Sequence, residues 1–467
     1  MPERENAGSK GEAMVDGARV TARVKRAILP IAFLLYMCSY MDRSTISYAQ
    51  LQMSHSLHID VASYGTAAAI FFIAYVILEL PSNLILSRVG ARIWLSRIAI
   101  TWGIVTILSG FVWDTTSLFV SRIALGAAEA GLFPGLLLFL SYWFLRENRG
   151  RALATMVFAQ PVALILGSVT AGLILDYGHW LGLEPWQWLF ILQGMPAVLV
   201  GIYILLFLAD RPTKANWLTP AESRWLESRI KTESAAVPSN DANEAHQLGG
   251  ILRAFRTPRV ILLSAVAFLS SIGNYGMAFF LPQIVQQMNP TYSAANIGFV
   301  GALPYICAGI AMLVVGRISD RLTNRRGIVI ACLVIGGVGL VASMAFRHAP
   351  VPGLVSLCIL AIGIVSYSPP MWAFITELLS TSQRVVVLPI MTSIASFAGF
   401  VAPILIGKLA ANGNVAFGLI VPAVCLALAV VLLALVRTRI SSYDEMNVET
   451  HGAASPVATR SSTPGGA

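Results

Sequence analysis

Four ionisable residues lie inside otherwise apolar stretches of this 467-residue sequence. Asp42 and Arg43 fall in YMCSYMDRSTISYA, and Arg122 and Glu129 fall in SRIALGAAEAGLF. A guanidinium group donates two parallel hydrogen bonds to a carboxylate and stays protonated away from water, so we expect Arg43 and Arg122 to bind an anion. A buried carboxylate gains or loses a proton when its neighbours change modestly. We therefore expect Asp42 and Glu129 to couple anion movement to protons.

The elements that must position these residues are membrane helices. Hydrophobic residues make up 56% of the chain and charged residues 12%, which is too little polar surface to cover a water-soluble globule. Apolar runs of about 20 residues, the length that crosses a hydrocarbon core, recur along the chain and are too long for barrel strands. We predict an all-α membrane protein with twelve transmembrane helices in two six-helix bundles, near residues 28–50, 62–86, 93–113, 116–144, 152–177, 186–209, 259–288, 293–317, 327–346, 352–379, 385–411 and 415–437.

The basic residues lie on one side of these predicted helices, which removes a nucleic-acid partner as the reason for the formal charge of +9. Loops on the other side carry almost no Lys or Arg, with Arg347 and Lys408 as the exceptions. By the positive-inside rule, both termini and the central linker are cytoplasmic. The positions on the basic side include Arg19, Arg23, Lys25, Arg26, Arg88, Arg92, Arg97, Arg146, Arg149, Arg151, Arg317, Arg321, Arg325 and Arg326.

Polar segments divide the chain into five predicted parts. These are a cytoplasmic N-terminal tail (1–26), a first six-helix bundle (27–209), a cytoplasmic linker (210–258), a second six-helix bundle (259–437) and a disordered C-terminal tail (438–467). Within the linker, Thr219 followed by Pro220 and Glu222 predicts the start of a short helix. The first 26 residues contain no apolar core of a cleaved signal peptide, so we expect the first helix to direct membrane insertion.

The spacing of the four charges allows two interpretations. Seven residues, about two helical turns, separate Arg122 from Glu129, so both lie on one helix face with Glu129 deeper. Asp42, Arg43 and Arg122 are all expected in the outer half of the membrane, where they are able to meet. The alternative is a static network that only holds helices together. Each charge costs on the order of 3 kcal/mol at the centre of a membrane helix, so a binding site explains four of them better.

Several motifs resemble those of one transporter family. GRISDRLTNRR, from Gly316 to Arg326, resembles the signature Gly-x-x-x-Asp-Arg-x-x-x-Arg-Arg of the major facilitator superfamily, and it falls between the second and third helices of a half. YMDR, ELPSNLILSRVGARIWLSR, RIALGAAEAGLFPG and WQWLFILQGMPA look like its anion:cation symporter family, whose members carry organic anions such as tartrate, phthalate and sugar acids. The similarity runs from about Arg26 to Arg437.

The resemblance implies roles for individual residues. It implies anion binding and proton coupling for the Asp-Arg pair of the first helix and the Arg-Glu pair of the fourth. It also implies ligand contact for Tyr75, Gln160 and Trp372, to which we add Asn274 as a polar group in the middle of the seventh helix. Helices broken by proline expose backbone groups that are able to face a substrate, as expected at Pro369 and Pro370.

The basic motif itself predicts a cytoplasmic gate. Its aspartate and arginines would pair across helix ends, with Glu377 as a partner, and so favour one arrangement of the two halves. The alternative is that these charges only set the topology. The expected gate residues are Gly316, Asp320, Arg321, Arg325 and Arg326.

These observations predict a secondary transporter that imports a small carboxylate by proton symport through alternating access. A proton-independent anion facilitator or exchanger and a drug or cation exporter are the alternatives. A membrane enzyme is not expected, because His-Glu-x-x-His, Walker and Gly-x-Ser-x-Gly motifs are absent from the sequence. We assign no catalytic residue, cofactor or metal, and we expect a monomer in a cell membrane, such as a bacterial inner membrane, with the anion, protons and lipid as its partners.

One departure from the family bears on the substrate. Many members have asparagines in the eleventh helix, where this chain reads IMTSIASFAGFVAP with Thr392 and Ser396. Fewer amide groups favour a less hydroxylated substrate than a sugar acid, such as an aromatic or aliphatic carboxylate.

Overall fold

The computed structural model describes residues 15–235, 258–322, 324–379, 381–411 and 414–436. Twelve helices in this part of the chain are long and apolar enough to cross a bilayer, and the described residues contain no strand. The predicted all-α fold is therefore confirmed. In chain order, the spans are Gly17–Ser56, Val61–Val89, Ala91–Ser109, Thr115–Ser141, Arg146–Tyr177, Pro185–Phe207, Pro258–Met288, Ala294–Arg321, Arg325–Ala345, Pro350–Leu378, Ile390–Leu409 and Val415–Leu435.

Four of these spans consist of two helices, and the eleventh span is part of a longer one, Thr381–Leu409. The tenth span breaks at Tyr367, just before Pro369 and Pro370. Both prolines then occupy the first turn of a new helix, where the missing N–H group costs little. The paired helices are Thr115–Glu129 and Leu132–Ser141, Arg146–Val157 and Ala159–Tyr177, Pro350–Ser366 and Ser368–Leu378, and Val415–Gly418 and Ile420–Leu435.

The first helix begins at Gly17, about three turns earlier than the sequence predicts. Asp16 caps it, because its carboxylate accepts hydrogen bonds from the backbone N–H groups of Ala18 (3.0 Å) and Arg19 (3.2 Å). The second half of the predicted tail 1–26 is thus helical, whereas residues 1–14 and 437–467 lie outside the described residues.

The early start of the first helix is explained by the linker. The predicted linker helix is confirmed as Pro220–Ala235, with Thr219 and Glu222 bonding each other's backbone N–H groups at its start. Arg23 pairs with Glu222 at 2.8 Å, so the extension of the first helix docks on the linker helix. A short 3₁₀ helix, Pro212–Lys214, connects the linker helix to the sixth span.

We call spans 1–6 the first half and spans 7–12 the second half. The end of the bundle that carries Arg88, Arg146, Arg321 and Arg325 is called the basic end, and the other is called the opposite end. That the basic end is cytoplasmic stays a prediction.

The most extensive contacts between the halves are those of the first span with the seventh, the second with the eleventh, and the fifth with the eighth. Near the opposite end, the Asp176 carboxylate accepts hydrogen bonds from the N–H groups of Ala294 and Ala295, both at 2.9 Å. The Tyr64 hydroxyl donates to the Phe279 carbonyl at 2.6 Å. Among the described residues, no ion pair joins the halves at the basic end. The structure is therefore closed at the opposite end.

Candidate functional site

The four charged residues predicted from the sequence lie together inside the first half. Asp42 and Arg43 are in the middle of the first span, Arg122 is in the fourth, and Glu129 is the last residue of the fourth span's first helix. Asp42 is 2% exposed, Arg122 1% and Glu129 0%. The Arg43 side chain is 16% exposed, so it is the accessible member of the group.

Arg43 pairs with Glu129. Its Nε and Nη2 atoms donate to Glu129 Oε1 at 3.0 and 2.7 Å, and the Ser39 hydroxyl donates to the same oxygen at 2.6 Å. Ser39 and Arg43 reach one partner because residues four apart share a helix face. The carboxylate stands at a helix C-terminus, where the helix dipole disfavours negative charge, and the guanidinium compensates for this.

A break in the fourth span fixes the position of Glu129. Gly131 adopts a left-handed conformation (φ 86°) that ends the first helix and starts the second. The Ser82 hydroxyl of the second span donates to the Ala130 carbonyl at 2.7 Å, and the Trp94 indole N–H donates to Ser82 Oγ at 3.0 Å. The carbonyl released by the break is therefore hydrogen-bonded, and neighbouring spans hold Glu129 in place.

Asp42 faces a different neighbour. Residues next to each other on a helix point about 100° apart, and Asp42 Oδ1 accepts a hydrogen bond from the Thr106 hydroxyl of the third span at 2.6 Å. No arginine within the described residues forms an ion pair with it. The static network that is the alternative from the sequence would pair Asp42 with Arg43 or Arg122, and the described residues do not form that pair.

Arg122 is enclosed by protein. Its Nε donates to the Ala67 carbonyl at 3.3 Å, and its guanidinium carbon lies 5.1 Å from the centre of the Phe71 ring. The guanidinium carbon of Arg43 lies 5.4 Å from the same ring centre. Both arginines therefore contact Phe71, and both distances are in the cation–π range. An anion held by both arginines requires a movement that exposes Arg122.

The other predicted ligand residues lie on four different spans, two in each half. Tyr75 is buried, with its ring centre 5.0 Å from the Arg43 guanidinium carbon and stacked on Phe71. Gln160, Asn274 and Trp372 are half-buried on the fifth, seventh and tenth spans. No hydrogen bond joins them to the four charged residues in the part of the chain described. Of these four residues, Tyr75 is the one whose contact with Arg43 is seen in the described part of the chain.

The predicted gate residues lie at the basic end of the second half. Arg325 Nη1 contacts Glu377 Oε1 at 2.9 Å, which joins the ninth and tenth spans, and Arg326 donates to the Ala434 carbonyl. Asp320 and Arg321 are exposed, and Gly316 is part of the eighth span. Asp320 forms no ion pair with any of the described residues. The predicted contact with Glu377 is therefore made, but within one half.

Sequence reasoning missed several residues of the site, among them Ser39, Thr106 and Phe71. Ser39 lies four positions before Arg43 and Phe71 four before Tyr75, so helical spacing would have indicated both. Thr106 carries no such signal, because its role depends on how the third span packs against the first.

Comparisons with known proteins give the same superfamily as the sequence motifs. A model of the Major Facilitator Superfamily matches residues 32–296 and 291–462. A putative tartrate transporter of Agrobacterium vitis is 38% identical over 84% of this chain and 85% of its own length. A quinolone resistance transporter of Acinetobacter baumannii is 32% identical over 88% and 94%. The xylose transporter XylE from E. coli, in an inward open conformation, superimposes with a TM-score of 0.70 at 14% identity, covering 91% of this chain and 99% of that one.

Proposed function

Because the chain belongs to the major facilitator superfamily, a family of multi-pass membrane transporters and not enzymes, we propose that it imports a small organic anion by proton symport. The anion is a carboxylate, and transport follows alternating access between the two halves. The observation that carries the proposal is the partly exposed Arg43 bound to the fully buried Glu129.

The pair supports anion binding by exchange of partners. Arg43 donates two hydrogen bonds to a single carboxylate oxygen of Glu129, and a carboxylate of the substrate is able to accept the same two bonds. Aromatic rings of Tyr40, Phe71 and Tyr75 surround the guanidinium group within 5.5 Å and leave room for few competing donors. Arg122 joins the site once it becomes exposed.

The same exchange couples the anion to a proton. When the substrate binds Arg43 in place of Glu129, the buried Glu129 carboxylate keeps only the hydrogen bond from the Ser39 hydroxyl among the described residues. An unpaired buried carboxylate costs several kcal/mol, so Glu129 takes up a proton as the anion binds. Asp42, which has no cation within ion-pairing distance among the described residues, is the second proton acceptor. Neutral carboxylates then lower the cost of closing the site.

Alternating access follows from the interface between the halves. Its hydrogen bonds cluster at the opposite end, which we assign to the non-cytoplasmic side, so this structure corresponds to the state that faces the cytoplasm. Import requires these contacts to break while the basic ends approach each other. The protein works as a monomer in a cell membrane of the bacterial inner type.

The similarity to a quinolone resistance transporter supports a second candidate, a drug exporter with the same fold. A cation exporter would be expected to present acidic groups to its cavity. Here Arg43, a base, is the accessible one of the four charged residues inside the first half. A proton-independent anion exchanger remains the third candidate.

Proteoliposomes test the proposal. We expect an imposed inward proton gradient to drive accumulation of at least one member of a panel of labelled carboxylates that includes tartrate and benzoate. Glu129→Gln should abolish this accumulation and retain exchange of internal for external anion, because the neutral amide no longer needs the proton. Accumulation by Glu129→Gln equal to that of the wild type would contradict the proton-coupling role. Wild-type uptake whose rate and extent do not depend on the proton gradient would favour the anion exchanger.

A further inference from the structure

Glu79 is a third carboxylate near Arg43, and the transport mechanism described above does not use it. It lies on the second span four residues after Tyr75, one helical turn nearer the basic end. Residues four apart on a helix have Cβ atoms about 5–6 Å from each other. Since the Tyr75 ring contacts Arg43, Glu79 stands about one turn beyond the anion-binding group.

Contacts across the interface show that Glu79 faces the second half. The second and eleventh spans run antiparallel, so that Gly65 lies against Pro403, Phe72 against Gly399, and Glu79 against Ser393. The Ser393 hydroxyl donates to Glu79 Oε2 at 3.5 Å. This bond lies nearer the basic end than the contacts of Tyr64 and Asp176 with the second half. Glu79 therefore stands between the Arg43 site and the basic end.

The Glu79 carboxylate has unused capacity to accept hydrogen bonds. An ionised carboxylate accepts up to about four, and within the described part of the chain the Glu79 side chain accepts one, the long contact from Ser393. The neighbouring Asn83 amide donates to the Glu79 backbone carbonyl at 2.7 Å and not to the side chain. Tyr75 thus has a donor-only group, Arg43, against its ring and an acceptor-only group, Glu79, one helical turn away on the same span.

We propose that Glu79 determines substrate specificity by selecting monocarboxylates that carry a hydroxyl or N–H donor at the end distant from the carboxylate. This inference rests on the proposed function, because it takes Arg43 as the anchor of the substrate carboxylate. A donor on the far end bonds to Glu79. A second carboxylate at that position meets a like charge in a site of low dielectric, which costs several kcal/mol and excludes dicarboxylates of matching length.

Two matched series of compounds test this on the purified full-length protein. Benzoate, 4-hydroxybenzoate and terephthalate share a ring and differ only at the far end. Butyrate, 4-hydroxybutyrate and succinate do the same on a flexible chain. Dissociation constants are measured at pH 7 by calorimetry for the wild type, Glu79→Gln and Arg43→Ala. Glu147→Gln is the matched control, since Glu147 is an exposed carboxylate at the basic end.

In at least one series, we expect the wild type to bind the hydroxylated acid at least about tenfold more tightly than either of the other two, because a site built to bond a polar group rejects analogues without it. Glu79→Gln should improve binding of the dicarboxylate relative to the hydroxylated acid by at least about tenfold, since its amide donates to a carboxylate. Glu147→Gln should match the wild type.

The outcomes separate this inference from the proposed function. If the compounds bind to the wild type and lose affinity in Arg43→Ala, but Glu79→Gln keeps the wild-type order of affinities, the role of Glu79 is wrong and the anion site stands. If the wild type binds none of the six acids, or Arg43→Ala binds them equally well, the anion site itself is wrong and the inference fails with it.

Discussion

The two halves share a six-span architecture but differ in what they bury. The first half buries Asp42, Arg122 and Glu129, and Arg43 is nearly enclosed beside them. In the second half, the buried polar residues that the structure describes are seven serines and one glutamine, all uncharged: Ser264, Ser270, Ser271, Gln283, Ser319, Ser343, Ser356 and Ser366. Its charged pair, Arg325 and Glu377, lies at the basic end, where Glu377 is 51% exposed.

This difference indicates a division of labour. Ionisable groups inside a membrane are costly and are kept where they bind or move charge, so we propose that binding and proton coupling belong to the first half. In this proposal the second half supplies a neutral wall and contacts that change when the halves move, such as those of Ser393 and the start of the eighth span. Three predictions test this division, and they are given in order of decreasing effect.

The largest effect is expected for Arg43→Ala. Removing the guanidinium should weaken carboxylate binding by about 100-fold or more, as for the loss of one partner of a buried charge pair. It also leaves Glu129 unpaired, which should destabilise the protein by about 3 kcal/mol. Calorimetry and a thermal unfolding midpoint measure the two effects. In the second half, Ser264→Ala removes a buried hydroxyl whose one partner among the described residues is the Val260 carbonyl, and it should change binding less than about threefold.

A double variant separates binding from stability. Arg43→Ala combined with Glu129→Gln removes both charges, so the unfolding midpoint should recover while carboxylate binding stays lost. Recovered binding in the double variant, or a loss with Ser264→Ala as large as with Arg43→Ala, would show that binding does not depend on the charges of the first half.

The same comparison shows what could be predicted from the sequence. The spans, the cap at Thr219 and the four charges were predictable, because apolar length, capping residues and buried charge are properties of short stretches of chain. The partner of Arg43 was not, since Glu129 and Asp42 were both available and the choice depends on how the first span is rotated against the fourth. The break at Gly131 was also missed, although it places Glu129 at a helix end.

An intermediate effect is expected at the opposite end of the interface. Asp176 of the first half accepts hydrogen bonds from the first two N–H groups of the eighth span, which a helix N-terminus otherwise leaves unpaired. Asp176→Ala should cost about 1–2 kcal/mol, as for loss of a helix cap, and so raise the population open at this end about five- to thirty-fold. Spin labels at Thr116 and Thr291, one on each half, would report this as a longer distance.

The control for Asp176 is Asp60, which caps the second span through the Ser63 N–H at 2.7 Å and has no hydrogen bond or ion pair to the second half among the described residues. The Ser63 hydroxyl and, to a smaller extent, the same backbone hydrogen bond lower the pKa of Asp60. Asp60→Ala should leave the distance between the labels unchanged. If it opens the halves as far as Asp176→Ala does, the contact of Asp176 across the interface is not what holds this end closed.

The smallest effect is expected for the charges at the basic end of the second half. Arg325 and Glu377 form an ion pair in which Glu377 is half exposed, and such pairs contribute about 0–1 kcal/mol. Glu377→Gln should therefore shift the unfolding midpoint by no more than about 2 °C and change the transport rate less than about threefold. Raising the salt concentration should remove even this difference, because exposed charges are screened. A tenfold loss of transport at unchanged stability would instead place Glu377 in a contact made only when the basic ends of the halves approach each other, and would assign the second half a charged gate as well as a neutral wall.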